Sequence, residues 1–308
     1  MLDYQSIGNK MAVYDFCSFL NENDLYEIRL NQHWDFVDKF IVVEAGETHT
    51  GLKKPLKFDH ERFKAFSSKI EYRTFSSFDE EMAKYPELVD QGALDNIVKN
   101  GKDVHIIEDW KRCFFQDNYV VKVLSELKAN DDDIIYASCL DEMIKKDAFA
   151  RAAELFKNKS TIYRNDLRPV FFFNLYLYAY KVNLLHKHWT EHYAGLLTEV
   201  GNFKKVLPAS IRYYGLTTHP IIGNGGWHFT FLDNTNGEMV LEKQRSWAHS
   251  KDRWPGQKVK FDHTTKEEAL RRFFEDYKVT QVAISEETHP KYLVDNIDKF
   301  KDFIFKEN

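Results

Sequence analysis

The alternation of apolar and polar positions divides this chain into short strands and helices. Residues 13–20 carry Tyr14, Phe16 and Phe19, good strand formers, and read as a strand. Asn21-Glu22-Asn23-Asp24 then supplies side chains that cap helices. Leu25, Ile28, Leu30, Trp34 and Val37 follow at roughly helical spacing. The continuous apolar run Phe40-Ile41-Val42-Val43, closed by Glu44, predicts a parallel strand buried on both faces. Strand, helix, strand is the unit that opens a doubly wound sheet.

The pattern continues. Residues 70–75 predict a strand, and the polar stretch 76–102 a long loop or short helices. Residues 110–127 predict a helix with Phe114, Val121 and Leu124 among its apolar positions, broken by Asp131-Asp132-Asp133. Ile134-Ile135-Tyr136-Ala137 is the next buried strand. It delivers Ser138-Cys139-Leu140-Asp141-Glu142 to its carboxyl end, the edge where open α/β sheets bind ligands. Residues 170–180 are strongly β, with Tyr176, Tyr178 and Tyr180 alternating onto one face. Gly223 to Gly226 reads as a flexible turn before Trp227-His228-Phe229. Thr264 and Glu267 resemble a capping box that opens a helix over 266–277, and a last amphipathic helix spans 292–304. No internal repeat or low-complexity linker interrupts the chain. The expected architecture is one α/β domain over 1–262, with a helical appendage over 263–308 packed on it.

Composition narrows the function. With 43% hydrophobic and 30% charged residues among 308, the chain can bury a real core. A net charge of -5 leaves no nucleic-acid footprint. Three cysteines form neither a disulfide framework nor a zinc pattern, which points to a reducing compartment. No apolar run is long enough for a signal peptide or a membrane span, so a soluble, cytoplasmic protein is expected.

Three constellations could carry chemistry. Asp141-Glu142, after a buried strand, suits a divalent metal that neutralises a phosphate-bearing leaving group. Acids there also serve as loop or helix-cap residues. In Gly223-Asn224-Gly225-Gly226-Trp227-His228, glycines permit close backbone approach, Trp227 offers a sugar-stacking face and His228 a phosphate or metal contact. The same residues suit a turn followed by a core tryptophan. Asn21-Glu22 and Glu44 lie where a nucleoside could reach strand ends, though on their own helix capping for Asn21-Glu22 and solvent exposure for Glu44 are the favoured readings.

A resemblance ties these segments together. Tyr14-Asp15, Asn21-Glu22 and Glu27-Ile28-Arg29-Leu30, then Val37 to Glu44 and Lys54-Pro55-Leu56, look like the opening of glycosyltransferase family 17. Trp110, Arg112, Phe115-Gln116 and Asn118, then Asp132 to Ile135 and Ser138 to Glu142, resemble its next blocks. Gly226-Trp227-His228-Phe229, followed by Lys243, Ser246 and Ala248-His249, resembles its C-terminal block. The blocks run in order from Tyr14 to His249.

The resemblance implies a GT-A fold with a mostly parallel Rossmann-like sheet. It implies inverting transfer from a UDP-sugar, UDP-N-acetylglucosamine in the family's known activity, to a glycan or polysaccharide hydroxyl. Asn21, Glu22, Glu44, Arg112, Ser138, Cys139, Trp227, His228 and Lys243 then belong to donor binding. Asp141, with His249, would hold Mn²⁺ or Mg²⁺; if no metal serves, Arg112, Arg212 or Lys243 would stabilise the leaving group. The acceptor-facing base would be Glu238, with Glu242 one helical turn on as its rival. Two features depart from the family. Cys139 stands where its Ser-Asp-x-Asp-Glu motif has the first Asp, and the membrane anchor of animal members is not found in this sequence. Cys139 keeps a second reading open, a non-catalytic binder of sugar nucleotides or glycans with a decayed metal site. A metal-dependent phosphohydrolase is a third, without the second His and Asp cluster it would need.

Overall fold

A computed structural model describes residues 11–99, 107–157, 167–188, 192–214, 219–248, 265–276 and 278–306. The first strand, β1 (Val13–Phe19), leads through helix α1 (Asn23–His33) to β2 (Lys39–Ala45) and on to β3 (Ile70–Phe75). The polar stretch that follows forms short helices, α2 (Phe78–Lys84) and α3 (Gln91–Lys99). The long helix α4 (Ile107–Glu126) precedes β4 (Ile134–Cys139) and the short β5 (Glu142–Ile144). Then come α5 (Lys146–Lys157), β6 (Val170–Ala179), β7 (Leu184–His186), β8 (Tyr193–Glu199), α6 (Pro208–Tyr214) and β9 (Ile221–Thr230). The chain closes with α7 (Glu238–Ser246), α8 (Lys266–Asp276), β10 (Val279–Gln281) and α9 (Lys291–Asp295).

The ten strands among the described residues form one sheet, ordered β10-β7-β6-β8-β4-β1-β2-β3, with β9 pairing β6 and β5. The run β4-β1-β2-β3 is parallel, as the early strand-helix-strand pattern predicts. The remainder departs from a mostly parallel sheet. β8 runs antiparallel to both β4 and β6, and the β6–β7, β7–β10 and β5–β9 pairs are antiparallel, while β6 and β9 are parallel. The sheet is therefore mixed. Antiparallel neighbours arise because connections such as that from β6 to β7 are too short for a helical crossover.

Strand alternation sorts the core into two layers. On β2, Ile41 and Val43 join α4 residues Phe115, Tyr119 and Val123 on one face. Phe40 and Val42 meet α1 residues Leu25, Tyr26 and Ile28 on the other. Both faces are covered, so the apolar run at Phe40 needs no polar alternation. The C-terminal segment packs on the second layer through Leu293, Phe300 and Phe303, and β10 extends the sheet edge beside β7.

Three local expectations need correction. Gly223 to Gly226 is not a free turn but part of β9, whose pairing with β6 slips register between Phe173 and Leu175. Gly226 has φ +153°, and a Cβ there would come 2.0 Å from the Met143 carbonyl oxygen. The glycine admits the β5 backbone at close range, and its neighbours bend the strand there. The helix expected over 292–304 ends at Asp295, where Asn296 turns its amide back onto the Tyr292 carbonyl at 2.9 Å. Tyr180 leaves the face of Tyr176 and Tyr178: with φ +71° it terminates β6 and joins a cluster with Val240 and Phe273. Thr264 and Tyr277 lie outside the described residues; α8 itself begins and ends where the pattern places it, to within a residue.

Candidate active site

The carboxyl ends of β1 and β4 open onto a cavity of about 280 Å³. β1 contributes Ser18 and Phe19, and the turn after it Leu20 and Glu22. The segment after β4 contributes Cys139 to Glu142. The loop after β2 adds Glu47, Thr48, His49 and Lys54; α4 adds Cys113 and Gln116; α6 adds Arg212 and Tyr213. β9 presents His228 and Thr230, and α7 presents Lys243 and Ser246. The cavity sits where an open α/β sheet is expected to take its ligand.

The segment after β4 is held from behind. Arg29 on α1, fully buried, donates to the carbonyls of Cys139, Leu140 and Glu142 at 2.7, 3.1 and 2.9 Å and to Ser138 Oγ at 2.8 Å. Its charge is met by the buried Asp15 carboxylate, to which Nε donates at 3.0 Å. His33 Nδ1 lies 2.6 Å from the same carboxylate, and its Nε2 accepts the Ile144 N–H at 3.0 Å. The Nε2 contact places the His33 proton on Nδ1, donating to Asp15. Burial opposes charge on Asp15, but Arg29 and His33 outweigh it and hold the carboxyl below its ordinary range.

At the front, Asp141 is buried and receives Lys243 Nζ at 2.7 Å on Oδ2. His228 Nε2 lies 3.5 Å from Oδ1. Against the cost of burial, Lys243 and then His228 hold the Asp141 carboxyl far below the usual carboxylate range. His228 Nδ1 is 2.6 Å from His192 Nε2, so one ring donates to the other. Burial, and then His228, push His192 down to about 3. Arg212 forms a second centre: it donates to Cys139 Sγ at 2.8 Å, Glu142 Oε1 at 2.9 Å and Asp117 Oδ2 at 3.2 Å. Burial raises Asp117 to about 6 against the pull of Arg212. Burial also raises the Cys139 thiol well above its ordinary value.

Of the residues assigned from sequence, Glu22, Cys139, Asp141, His228 and Lys243 converge on this cavity. Others stand behind or beside it. Ser138 is buried under Arg29. Glu44 is fully buried, accepting from Lys54 Nζ, the Lys57 and Phe58 amides and Tyr72 OH. It anchors the loop that lines the cavity rather than facing a nucleoside. Arg112 supports the same loop by donating to the His49 carbonyl at 3.2 Å. Trp227 points to the opposite face of β9 from His228, into the core, with its indole N–H on the Thr288 carbonyl at 2.8 Å. Strand alternation cannot put both neighbours in the cavity. Asn21 donates to Glu242 Oε2 at 2.7 Å, and Lys57 pairs with Glu242 at 2.8 Å, beside the cavity rather than in its lining. Glu238 is 61% exposed and pairs with Lys266 on the outside of α7. His249 lies outside the described residues.

The turn before α7 is fixed by a single carboxylate. Asp233, fully buried, accepts from the amides of Thr235, Gly237 and Met239 and from Thr235 Oγ1. That places the first turn of α7 and, through it, Lys243. His192 is absent from the sequence reading, and Arg212 enters it only as a cation that would serve the leaving group in place of a metal. Each reaches its partners across 36 to 95 residues of chain, with no local motif to announce it.

Mn²⁺ and Mg²⁺ favour oxygen ligands. At the front, one oxygen of Asp141 is occupied by an ammonium, Glu142 is turned onto Arg212 and the Cys139 amide, and Cys139 offers a thiol. Among the described residues no group of three or more His, Cys, Asp and Glu side chains could hold a metal ion. The donor set does not form a ready divalent-cation centre.

The sequence profile of glycosyltransferase family 17 matches residues 2–305. The chain belongs to glycosyltransferase family 17. No curated protein matches it. Membership makes the chain a glycosyltransferase, and a transferase of this class works between a sugar donor and a glycan acceptor. Among the described residues no helix is long and apolar enough to cross a membrane.

Proposed function

We propose that this cavity binds a UDP-sugar, with UDP-N-acetylglucosamine the preferred donor, and transfers the sugar with inversion to a hydroxyl of a glycan or polysaccharide. The parallel β3-β2-β1-β4 block with its ligand cavity at the strand ends supports a GT-A type of donor domain. The observation that carries the reading is the meeting of Asp141, Lys243, His228 and Arg212 on one cavity at those ends, in a chain of this family.

In the transfer, the acceptor oxygen bonds to the anomeric carbon as the bond to the diphosphate oxygen breaks. The electron pair leaves with UDP, and the acceptor proton passes to a carboxylate. In this reading Lys243 and Arg212, which line the cavity, meet the departing charge. A base must reach the acceptor inside the cavity. Glu22 and Glu47 line it, and neither holds an ion pair among the described residues. Glu22 Oε2 accepts the Leu20 and Asn21 amides and Glu47 Oε2 the Phe78 amide, which fixes each carboxylate in place. They are better placed than Glu242, which is bound to Lys57, or Glu238, which faces solvent.

Release of UDP from a panel of UDP-sugars, measured with and without glycan acceptors, tests the reading. Acceptor-stimulated release from UDP-N-acetylglucosamine is expected. Tight UDP binding with no turnover on any acceptor would favour the non-catalytic reading that Cys139 suggests. Glu22→Gln or Glu47→Gln should lower turnover by roughly 10²–10⁴-fold and spare UDP binding. Glu238→Gln should stay within about twofold of wild type, as expected of a group outside the reaction. If Glu238→Gln alone abolishes turnover, the placement of the base is wrong.

A further inference from the structure

We propose that Lys243, backed by Arg212, is the built-in cation for the donor diphosphate, so that this protein binds a nucleoside diphosphate without a divalent metal. The inference rests on the UDP-sugar reading of the same cavity.

Three observations converge. First, the ammonium of Lys243 already occupies Asp141 Oδ2 at 2.7 Å, the position a metal would take on the strand-end carboxylate. The order carboxylate, cation, phosphate is kept, with a lysine as the cation. Second, the ammonium has donors to spare. Of its three N–H groups one goes to Asp141, and the side chain lines the cavity at 20% exposure. An ammonium is an effective point-charge ligand for phosphate. Third, the charge around Arg212 has shifted the same way. A thiol stands at Cys139, 2.8 Å from Arg212 Nη2, where a carboxylate would add a negative charge. Arg212 keeps Glu142 and Asp117 as its carboxylate partners, and it lines the cavity. An aspartate at position 139 would compete with an incoming phosphate for the same guanidinium; a thiol does so weakly.

Lys243 comes from α7 and Asp141 from the end of β4, 102 residues apart in sequence. The buried Asp233 turn that starts α7 holds that geometry before any ligand arrives. A cation fixed in this way needs no recruitment from solution.

Calorimetric titration of UDP and of uridine, in EDTA and in Mn²⁺, separates the possibilities. Wild type should bind UDP with affinities in EDTA and Mn²⁺ that agree within about twofold. Lys243→Met should weaken UDP by about 10- to 100-fold in EDTA and leave uridine within about twofold. Lys243→Arg should recover most of the loss. Equal weakening of UDP and uridine would mean that Lys243 is structural, and would overturn the proposal. So would UDP binding in the wild type that is tenfold or more tighter with Mn²⁺, which leaves the glycosyl-transfer reading standing. Absence of UDP binding in both conditions would overturn both. Cys139→Asp is the second variant, needed if Lys243→Met does not fold. It should weaken UDP in EDTA and create a response to Mn²⁺, and an unchanged titration would count against the proposal.

Discussion

Two clusters in this protein share one plan, an aspartate held between a cationic side chain and a histidine. Behind the sheet end, Asp15 meets Arg29 and His33; at the front, Asp141 meets Lys243 and His228. The rear cluster is sealed, with all three side chains at 0 or 1% exposure. Arg29 has its donors committed to Asp15, Ser138 and backbone carbonyls, and both ring nitrogens of His33 are used. The front cluster faces a cavity, and Lys243 keeps donors available. The difference separates scaffold from site. A buried charge with every partner in the protein holds a segment still, whereas one with a partner missing is ready for a ligand.

Breaking the rear cluster should have the largest effect. Arg29→Met leaves Asp15 buried without its main counter-charge and strips donors from three carbonyls. Loss of one partner of a buried pair costs about 3–5 kcal/mol. The melting temperature should fall by roughly 10 °C. The sign with pH follows from Asp15. Its depressed carboxyl stabilises the fold above the unfolded carboxylate range, and that contribution is lost as pH falls through the folded value. Arg29→Met should therefore lose most stability at neutral pH and approach wild type in acid. Urea unfolding at several pH values measures this, and a variant within about 1 kcal/mol of wild type at pH 7 would refute the scaffold role.

This contrast explains which parts were legible in the sequence. The apolar runs at Phe40 and Ile134 announce parallel strands, and Asp141 announces itself by following one. Family spacing adds Cys139, His228 and Lys243 to the cavity. Glu44 is not legible as a structural acid, because a strand-end acid looks the same whether it meets ligand or, as here, three donors of the following loop and the Tyr72 hydroxyl of β3. Trp227 was misread because a stacking residue and a core residue share one composition, and only strand parity tells them apart. Glycines in β9 looked like a turn because their reason, the close β5 and β6 backbones, is non-local. Arg212 and His192 carry no local signal. The antiparallel half of the sheet was hidden for a related reason. Strand order and direction there depend on which segments pair, and period-two patterns do not encode it.

The front cluster should behave in the opposite sense. Asp141→Asn leaves Lys243 without its counter-ion, yet the ammonium faces the cavity and can draw on water. The stability loss should be about 1–2 kcal/mol, below that of Arg29→Met. Turnover should fall by roughly 100-fold, because the ammonium is no longer aimed at the diphosphate. Thermal melts and UDP release on the same preparation decide it. A stability loss equal to that of Arg29→Met, with activity per folded molecule unchanged, would erase the distinction between the clusters.

The smallest effect sharpens the comparison at the second histidine of the front cluster. His192 is pushed down to about 3 by burial and by His228, whereas an unfolded histidine titrates near 6.5. Between those values the unfolded chain binds a proton that the folded chain refuses. Stability from this group is therefore complete above about pH 6.5 and declines as pH falls toward 3. His192→Asn removes the titration and keeps a polar partner for His228. The stability gap between wild type and variant should narrow by up to about 1 kcal/mol from pH 7.5 to pH 5, allowing for solvent at the cavity. His33→Asn should behave similarly in direction, since burial also lowers His33, but it should cost more at every pH because both ring nitrogens lose partners. Denaturant midpoints for the two variants across that interval test the pair. Parallel pH profiles for wild type and His192→Asn would show that the fold does not hold His192 neutral.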